Sequence, residues 1–294
     1  MFMEEYPVLM KLETLEEVLL TVFKTIDIEE SVPVSILLIA PQGQAKTSLI
    51  SQHQGPAILM TDSFTQSGLW DIVAGDPKNE IGFLLTSDLN PTLSRAKHVV
   101  ESAIGNLLSL TFDGTIRIDD GRQNKLLRHD PIGFIAGATP ETFQRYARKW
   151  FALGLRRRII PLYYEYSLST IEKIQEQVRT DKITRKIAIN PIIHTRLQAK
   201  VKPIIPENES HEIKSLSSKF ALNLGKLATL KREKDKRTYE WVVKNVAPID
   251  PHLTLRTLAR AHALLKRKPK VSSNDLEFLI SFIEFTDPER PRQL

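Results

Sequence analysis

The chain has 294 residues, of which 41% are hydrophobic and 26% charged, and its formal net charge is +6. That length suits one large core with a smaller second domain, and the basic balance favours a polyanionic partner. The absence of cysteine excludes disulfides and thiolate metal sites. No apolar run approaches the roughly 20 residues that span a bilayer, and residues 1–20 carry acidic groups where a signal peptide is positive. We therefore expect a soluble, cytoplasmic protein without a membrane partner.

Apolar spacing along the first 166 residues predicts helices that alternate with buried strands. Helical spacing covers 8–30 and 95–108. Short apolar runs predict five buried strands, at 32–39, 56–60, 81–86, 132–138 and 159–166. This alternation predicts an α/β fold with a mainly parallel sheet flanked by helices.

The pattern changes near residue 166. Residues 167–294 show only helical periodicity, interrupted by a polar loop at 203–209. We therefore expect three parts, namely an N-terminal helical segment at 1–31, an α/β core at 32–166 and an α-helical domain at 167–294. No chemical motif stands out in 167–212.

Residues 107–129 are expected to form a hairpin inserted in the core. The segment 110–119 alternates, and Asp113-Gly114 at its centre is the strongest short signal for a hairpin turn. Four basic residues belong to this stretch: Arg117, Arg122, Lys125 and Arg128. Clustered basic side chains suit contacts with phosphates, although a solvated basic face is the other interpretation.

A phosphate-binding loop is predicted directly after the first strand. Residues 40–47 read Ala-Pro-Gln-Gly-Gln-Ala-Lys-Thr, which approaches the G-x-x-x-x-G-K-[ST] motif with alanine at both glycine positions. A strand precedes the loop and a helix follows it, as phosphate binding by backbone N–H groups and a helix N-terminus requires. Lys46 would place its charge at the β- and γ-phosphates of ATP, and Thr47 would ligate Mg²⁺. Alanine at 45 costs strain if its φ must be positive.

The residues expected to hold the nucleotide are consecutive in the chain. They are Pro41, Gln42, Gly43, Gln44, Ala45, Lys46, Thr47 and Ser48.

Four further polar residues follow the loop in a characteristic order. Asp88 follows the strand at 81–86 and Thr139 follows the strand at 132–138. Arg158 lies in Gly-Leu-Arg-Arg-Arg-Ile-Ile-Pro at 154–161, and Arg256 lies in a helical stretch at 253–265. In this order the motifs resemble the AAA+ superfamily of P-loop ATPases over about residues 32–285. The resemblance is closest to the branch with the MCM helicases and MoxR-type ATPases, and to ATPases of phages and plasmids.

The resemblance implies a role for each of these residues. Asp88 looks like the Walker B aspartate, which holds Mg²⁺ with Thr47, and Thr139 matches the sensor 1 residue. Arg158 matches the arginine finger, which acts on a neighbouring subunit and so implies a ring, hexamer-like, or a filament. Arg256 matches sensor 2, which contacts the γ-phosphate in its own subunit, so the domain at 167–294 would be the lid. For Asp88 and Thr139, capping of the next helix is the alternative interpretation.

The chain departs from the family at one catalytic position. Leu89 stands where the family has the glutamate that orients the attacking water. Asp62 and Glu101 are the candidate substitutes, although no spacing supports either strongly.

The resemblance also implies an activity. In MCM-like relatives a hairpin at this position grips DNA inside the ring pore, so the basic residues of 107–129 would contact DNA. We expect an ATPase that binds and hydrolyses ATP to act on DNA, in replication or mobilisation of a mobile element. A MoxR-like protein remodeller with a protein partner, an ATP-gated scaffold with weak or no hydrolysis, and a DNA-binding protein that merely kept the fold are the alternatives.

Overall fold

The computed structural model describes residues 11–294 except 120–123, 153, 180–190, 234–235, 245 and 247–248. Within these ranges the helices are α1 (Glu13–Lys24), α2 (Lys46–Ser51), α3 (Gln66–Ala74), α4 (Asn90–Leu93), α5 (Lys97–Asp113), α6 (Pro140–Ala152), α7 (Leu155–Arg158), α8 (Leu168–Arg179), α9 (Glu207–Gly225), α10 (Ile249–Leu265) and α11 (Ser273–Phe285). The strands are β1 (Ser35–Ile39), β2 (His53–Gln54), β3 (Ile58–Met60), β4 (Phe83–Thr86), β5 (Thr115–Asp119), β6 (Asn124–Arg128), β7 (Gly133–Ala138), β8 (Ile159–Glu165), β9 (Ile192–Ile193), β10 (Lys226–Glu233), β11 (Lys236–Val243) and β12 (Arg292–Gln293).

A six-stranded sheet forms the centre of the fold. Its order is β12-β8-β1-β7-β4-β3, and every pair is parallel. The five longer strands of this sheet are those that the apolar runs predict, and each is one to three residues shorter than its predicted range. The prediction of an α/β fold with a parallel sheet flanked by helices is therefore confirmed.

The sheet is buried on both faces. One face of β1, including Leu38, packs in a core with α1, α2, α10 and α11, whereas Leu37 on the other face packs in a core with α3, α5 and α6. A strand that buries both faces has no solvent-facing positions, which is why its sequence is continuously apolar instead of alternating. β1 thus lies in the middle of the molecule. Its amino end lies at one edge of the parallel sheet, called the amino edge below, and its carboxyl end lies at the opposite, carboxyl edge.

The second half of the chain shares a core with the sheet. Helices α9, α10 and α11 pack in the same cluster as α1. His262 on α10 joins them: its Nδ1 lies 2.6 Å from an Asp275 oxygen and its Nε2 lies 3.2 Å from a Glu17 oxygen. β12 closes the sheet beside β8. A boundary near residue 166 stays a prediction.

Among the described helices, none combines the length and apolar character needed to cross a membrane.

The prediction that 167–294 is purely helical is wrong. β10 and β11 form an antiparallel hairpin in which Lys226 pairs with Val243 and Glu233 pairs with Lys236. A short strand, β9, also pairs with β2 in parallel. Dense lysine and arginine along 226–237 resemble the polar end of a helix in the sequence, so apolar spacing gives little warning of strands there.

The position of the predicted hairpin turn is also wrong. Asp113 ends α5, and Gly114 caps that helix in the left-handed region with φ 62°. A Cβ on Gly114 would lie 2.0 Å from the carbonyl oxygen of His129, so glycine is required there. The hairpin itself exists as β5 and β6, paired from Thr115↔Arg128 to Asp119↔Asn124. Its connection at 120–123 lies outside the described residues.

Candidate nucleotide-binding site

The predicted phosphate loop connects β1 to α2 at the carboxyl edge of the sheet. Gly43 has φ 76° and Ala45 has φ 55°, so both adopt the left-handed backbone conformation. For alanine this conformation costs about 1–2 kcal/mol, and the strain anticipated at position 45 is therefore present. Such a backbone turns successive N–H groups toward one side, which is the geometry of an anion-binding concavity.

The loop is fixed to the neighbouring strand β8 through Gln44. The Tyr164 hydroxyl donates to the Gln44 carbonyl oxygen at 2.8 Å, and the Tyr166 backbone N–H donates to the Gln44 side-chain oxygen. Gln44 is only 8% exposed, and burial raises the pKa of Tyr164, which keeps its hydroxyl protonated as a donor. The Gln44 side chain therefore anchors the loop instead of reaching a phosphate. The sequence pattern does not indicate this role, because the tyrosines read only as part of an apolar strand.

Lys46 folds back over its own loop. Its Nζ donates to the carbonyl oxygens of Ala40 at 2.6 Å and Pro41 at 2.7 Å. Burial lowers the pKa of Lys46, whereas the negative charges of Asp88 and Glu141 act in the opposite direction. The ammonium group is thus bound by two carbonyl oxygens and lies in the electrostatic field of two carboxylates.

The ends of β4 and β7 meet Lys46 at one point. A Cβ on Gly137 would lie 2.3 Å from the Ser87 carbonyl oxygen and 3.6 Å from the Cβ of Lys46. Only glycine allows three segments to approach this closely. Asp88 follows Ser87, and Thr139 follows β7 by one residue, so the two predicted residues lie at the same edge as the loop.

A chain of hydrogen bonds joins Asp88 to Thr139. One Asp88 carboxylate oxygen accepts from the Asn90 side-chain amide at 3.3 Å. The Asn90 side-chain oxygen accepts from the Thr142 hydroxyl at 2.8 Å, and the Thr139 hydroxyl donates to the Thr142 hydroxyl at 3.2 Å. Asn90 and Thr142 are therefore parts of the site that the sequence motifs do not identify.

The capping interpretation of Asp88 and Thr139 also describes what these residues do. The Asn90 backbone N–H donates to Asp88 at 2.9 Å, and the Thr142 backbone N–H donates to the Thr139 hydroxyl oxygen at 3.3 Å. Each capping bond uses one acceptor site of the side chain, and the bond holds that side chain at the carboxyl edge of the sheet. The capping and nucleotide-contacting roles are compatible.

The two candidate substitutes for the missing glutamate, Asp62 and Glu101, belong to segments other than β1, α2 and β7, which surround the loop. Asp62 follows β3, the edge strand that lies three places from β1, and Glu101 belongs to α5. Leu89, at the position of the family glutamate, is 3% exposed, and its backbone N–H donates to the Gly137 carbonyl oxygen at 2.9 Å. Its side chain is part of the core and does not reach the site.

The residues at the carboxyl edge suit Mg²⁺ only together with a nucleotide. Mg²⁺ is usually held by one or two protein oxygens, with water and phosphate oxygens completing the octahedron. Thr47 and Asp88 are both exposed at this edge, and in the part of the chain that the structure describes there is no group of three acidic, histidine or cysteine residues that could hold a metal ion. The donor set therefore fits a metal shared with bound phosphates and not a metal held by the protein alone.

A second, basic site lies at the opposite edge of the sheet. A cavity of about 390 Å³ is lined by Val34 and Ser35, where β1 begins, and by charged residues of three other segments. Its basic members are Arg158, Lys202, Arg256 and Arg260, and its acidic members are Glu30 and Asp250.

The cavity places Arg256 at the amino edge of the sheet. Ser35 lines the cavity and Ile39 precedes the phosphate loop, and four steps of about 3.3 Å along a strand separate them by about 13 Å. Arg256 therefore lies with Arg158 at the amino edge, away from the phosphates that Lys46 of the same subunit would bind. The sensor 2 role, a contact with the γ-phosphate in its own subunit, stays a prediction for Arg256.

The cavity is electropositive because it is lined by four basic residues and only two acidic ones. Lys202 forms an ion pair with Glu30, and the Arg260 Nε donates to the Pro203 carbonyl oxygen at 3.2 Å. Burial and the charge of Arg256 both lower the pKa of Arg260. The Arg158 guanidinium lies 4.8 Å from the ring centre of Phe112, whose side chain is 46% exposed. Two arginines that repel each other, with a third arginine in the same cavity, suit a bound anion.

The hairpin places its basic residues on two different faces. Arg117 and Arg128 are exposed and share the solvent face, because Arg117 pairs with Leu126 and Arg128 pairs with Thr115. Lys125 is exposed as well, but it shares the other face with Ile116, which is fully buried. Arg122 lies outside the described residues. The structure thus supports a basic ridge at Arg117 and Arg128, with Lys125 toward the distal end of the hairpin.

No protein-family model matches this chain, and no curated protein shows significant similarity to it. The class that the fold defines is an α/β protein whose six-stranded parallel sheet carries helices on both faces and is compatible with a P-loop-like core.

Proposed function

We propose that the protein is an AAA+ type P-loop ATPase that assembles head to tail and acts on DNA. One observation carries the proposal: the loop between β1 and α2 has two left-handed residues and a lysine that packs beside the end of β7 and binds the first two loop carbonyls with its ammonium group. In open parallel sheets, ligands bind outside the carboxyl ends of the strands, where consecutive connections diverge to opposite sides. β1 occupies such a point, since β3 and β8 lie on opposite sides of it.

In this proposal the loop amides and Lys46 bind the phosphates of ATP. Lys46 exchanges its bonds to Ala40 and Pro41 for bonds to phosphate oxygens, which removes two carbonyl contacts and adds charge-assisted ones. Magnesium held by Thr47, Asp88 and the nucleotide would neutralise charge that develops on the phosphates. Thr139, which is hydrogen-bonded to Thr142, would contact the terminal phosphate from the end of β7.

The positions of the loop and the two arginines at opposite edges of the sheet support an assembly as the active form. The phosphate loop lies at the carboxyl edge, whereas Arg158 and Arg256 lie at the amino edge. One copy cannot bring both edges to one nucleotide, but the amino edge of one copy can face the carboxyl edge of the next. Such a heterologous contact repeats as a closed, hexamer-like ring or as an open filament. Both arginines would then act on the neighbour's nucleotide.

The net charge and the hairpin support the proposal that the substrate is DNA. The net charge is +6, and the exposed ridge of Arg117 and Arg128 projects from between α5 and β7. Phosphate contacts need clustered cations and not base-reading side chains. ATP binding would set the geometry between subunits, and hydrolysis would move the hairpins that hold the DNA.

The proposal is tested by ATP turnover measured with and without DNA over a range of protein concentrations. We expect turnover per subunit to rise with concentration, because the arginine comes from a neighbour, and to rise further with DNA. Turnover that is independent of concentration would contradict assembly, and absence of ATP binding would contradict the whole proposal.

Neutralising the three described basic residues of the hairpin should weaken DNA binding in a salt-dependent way. We expect the triple change of Arg117, Lys125 and Arg128 to glutamine to lower affinity and to reduce the slope of log affinity against log salt by up to about 3, which is about one for each DNA phosphate that the variant no longer neutralises. Fluorescence anisotropy with labelled DNA, measured from about 50 mM to about 200 mM salt, gives both the affinity and the slope.

A charge-matched control separates the effect of the hairpin residues on DNA binding from the effect of net charge alone. Lys270, Arg267 and Arg290 are exposed at other places in the fold, and their change to glutamine removes the same three charges. Equal effects of the two triple variants would place the DNA site elsewhere. Binding of unfolded protein instead of DNA, insensitive to salt, would favour the MoxR-like remodeller.

A second candidate is an ATP-gated scaffold that binds ATP and hydrolyses it slowly or not at all. The buried Leu89 favours it, because the side chain at that position is packed in the core and carries no carboxylate. Saturating ATP and DNA with no turnover, together with ATP-dependent assembly, would select this candidate over the ATPase.

A further inference from the structure

Hydrolysis requires a group that orients the attacking water, and the edge of the sheet offers a carboxylate for it. The usual neighbour of Asp88 is replaced by the buried Leu89. Asp88 itself accepts two hydrogen bonds from Asn90 and lies at the position proposed for the metal. The remaining carboxylate whose charge acts on Lys46 is Glu141.

Glu141 is held at the site by the way α6 begins. The strands β1 and β7 are neighbours, with Ile39 paired to Ala138, and the Ala40 N–H donates to the Ala138 carbonyl oxygen at 3.3 Å. The chain therefore leaves β7 directly beside the start of the phosphate loop. Glu141 follows three residues after Ala138, in the first turn of α6, and its side chain is exposed.

The residues on both sides of Glu141 limit its freedom of movement. Pro140 opens α6 and fixes its own φ near the helical value. The Thr142 N–H is capped by the Thr139 hydroxyl, and the Thr142 hydroxyl donates to Asn90, which in turn binds Asp88. The backbone of Glu141 is thus fixed relative to both the Walker B-like aspartate and the sensor 1-like threonine, whereas its side chain keeps access to solvent.

We propose that Glu141 is the catalytic carboxylate that orients and deprotonates the attacking water. This inference rests on the proposed function. The water oxygen forms a bond to the γ-phosphorus, and the bond from that phosphorus to the β–γ bridging oxygen breaks, with its electron pair remaining on ADP. A proton of the water passes to the Glu141 carboxylate and from there to solvent. The products are ADP and inorganic phosphate, and no oxidant or further reactant is needed.

The role explains how the chain can lack a glutamate after Asp88. A general base must be within hydrogen-bond reach of its water, and its position in the sequence is immaterial. The carboxylate would approach the terminal phosphate from the end of β7 instead of the end of β4. Since β7 is adjacent to β1 and β4 is one strand farther away, this approach is at least as direct.

The test compares Glu141→Gln with the wild-type protein in ATP turnover and in equilibrium binding of a fluorescent ATP analogue. Glutamine keeps the size and helix position but cannot accept the proton, so we expect turnover to fall at least about 100-fold, within the range known for general bases. The dissociation constant for the analogue should change less than about threefold, since a general base contributes to the transition state and not to ground-state binding. Glu172→Gln, which removes an exposed carboxylate on α8, is the matched control and should keep both values.

The outcomes separate the two levels of the proposal. Wild-type turnover retained in Glu141→Gln overturns the catalytic role and leaves the ATPase proposal standing. Binding of the analogue without turnover in the wild type overturns the catalytic role and selects the scaffold. Absence of binding in the wild type overturns both. A loss of affinity equal to the loss of turnover assigns Glu141 to positioning of the loop, which contradicts its role as the base.

Discussion

Lys46→Ala is expected to lower ATP affinity about 10-fold to 100-fold and to remove turnover. A charge-assisted hydrogen bond is worth about 1.5–3 kcal/mol, and each step of about 1.4 kcal/mol is tenfold in affinity. Lys46 is the group whose Nζ already lies within 2.7 Å of two loop carbonyls. Isothermal titration with ATP and Mg²⁺ gives the affinity, and phosphate release gives the turnover.

Loss of Lys46 also removes two hydrogen bonds within the loop, so folding must be checked separately. The midpoint of thermal unfolding without nucleotide should change little, because the core beneath the loop is unaffected. Lys97→Ala, which removes an exposed lysine at the start of α5, is the matched control and should bind ATP like the wild type. Wild-type affinity in Lys46→Ala would show that the loop is not the phosphate site.

The central strands could be predicted because burial on both faces leaves a simple trace in the sequence. β1 and β7 are buried at every position, and continuous apolar runs of that length seldom arise otherwise. The phosphate loop was predictable for a related reason, since a strand, a turn and a helix follow one another there without interruption. Local sequence determines these features almost completely.

Features that depend on contacts between distant segments were not predictable. Asp113-Gly114 reads as a hairpin turn, but α5 continues to Asp113 and the glycine serves as its cap against His129. The sequence around Gly114 satisfies both structures, and packing of α5 on the sheet decides between them. Arg256 is a similar case, because spacing places it on α10 but does not show which edge of the sheet α10 covers.

The sequence identifies the residues of the candidate site that follow strands, but it does not identify the residues that support them. Asp88 and Thr139 could be found because each follows a recognisable strand. Asn90 and Thr142, which join them, lie 52 residues apart in the chain, and no spacing rule connects such a pair. Glu141 was visible within the Thr-Pro-Glu sequence after β7, but its relation to Lys46 emerges only when β7 is known to lie beside β1.

Arg158→Ala is expected to reduce ATP turnover about 10³-fold, the lower end of what an arginine finger contributes, while ATP affinity changes little. The guanidinium lies at the amino edge of the sheet, in the cavity with Arg256 and away from the phosphate loop of its own subunit. In the proposed assembly it would stabilise charge that develops during the reaction in the neighbouring subunit, without holding the nucleotide in the ground state. Arg290→Ala, at an exposed position, is the control and should keep full turnover.

Mixing two inactive variants gives the sharpest test of action between subunits. Lys46→Ala lacks a working loop but offers an intact Arg158, whereas Arg158→Ala has an intact loop. In a head-to-tail assembly formed at random from equal amounts, a contact is complete when an Arg158→Ala loop faces a Lys46→Ala neighbour, which is about one contact in four. We therefore expect the mixture to recover about a quarter of wild-type turnover, although each variant alone is nearly inactive. Additive activity, with no recovery on mixing, would place the action of Arg158 within its own subunit and would remove the reason for assembly.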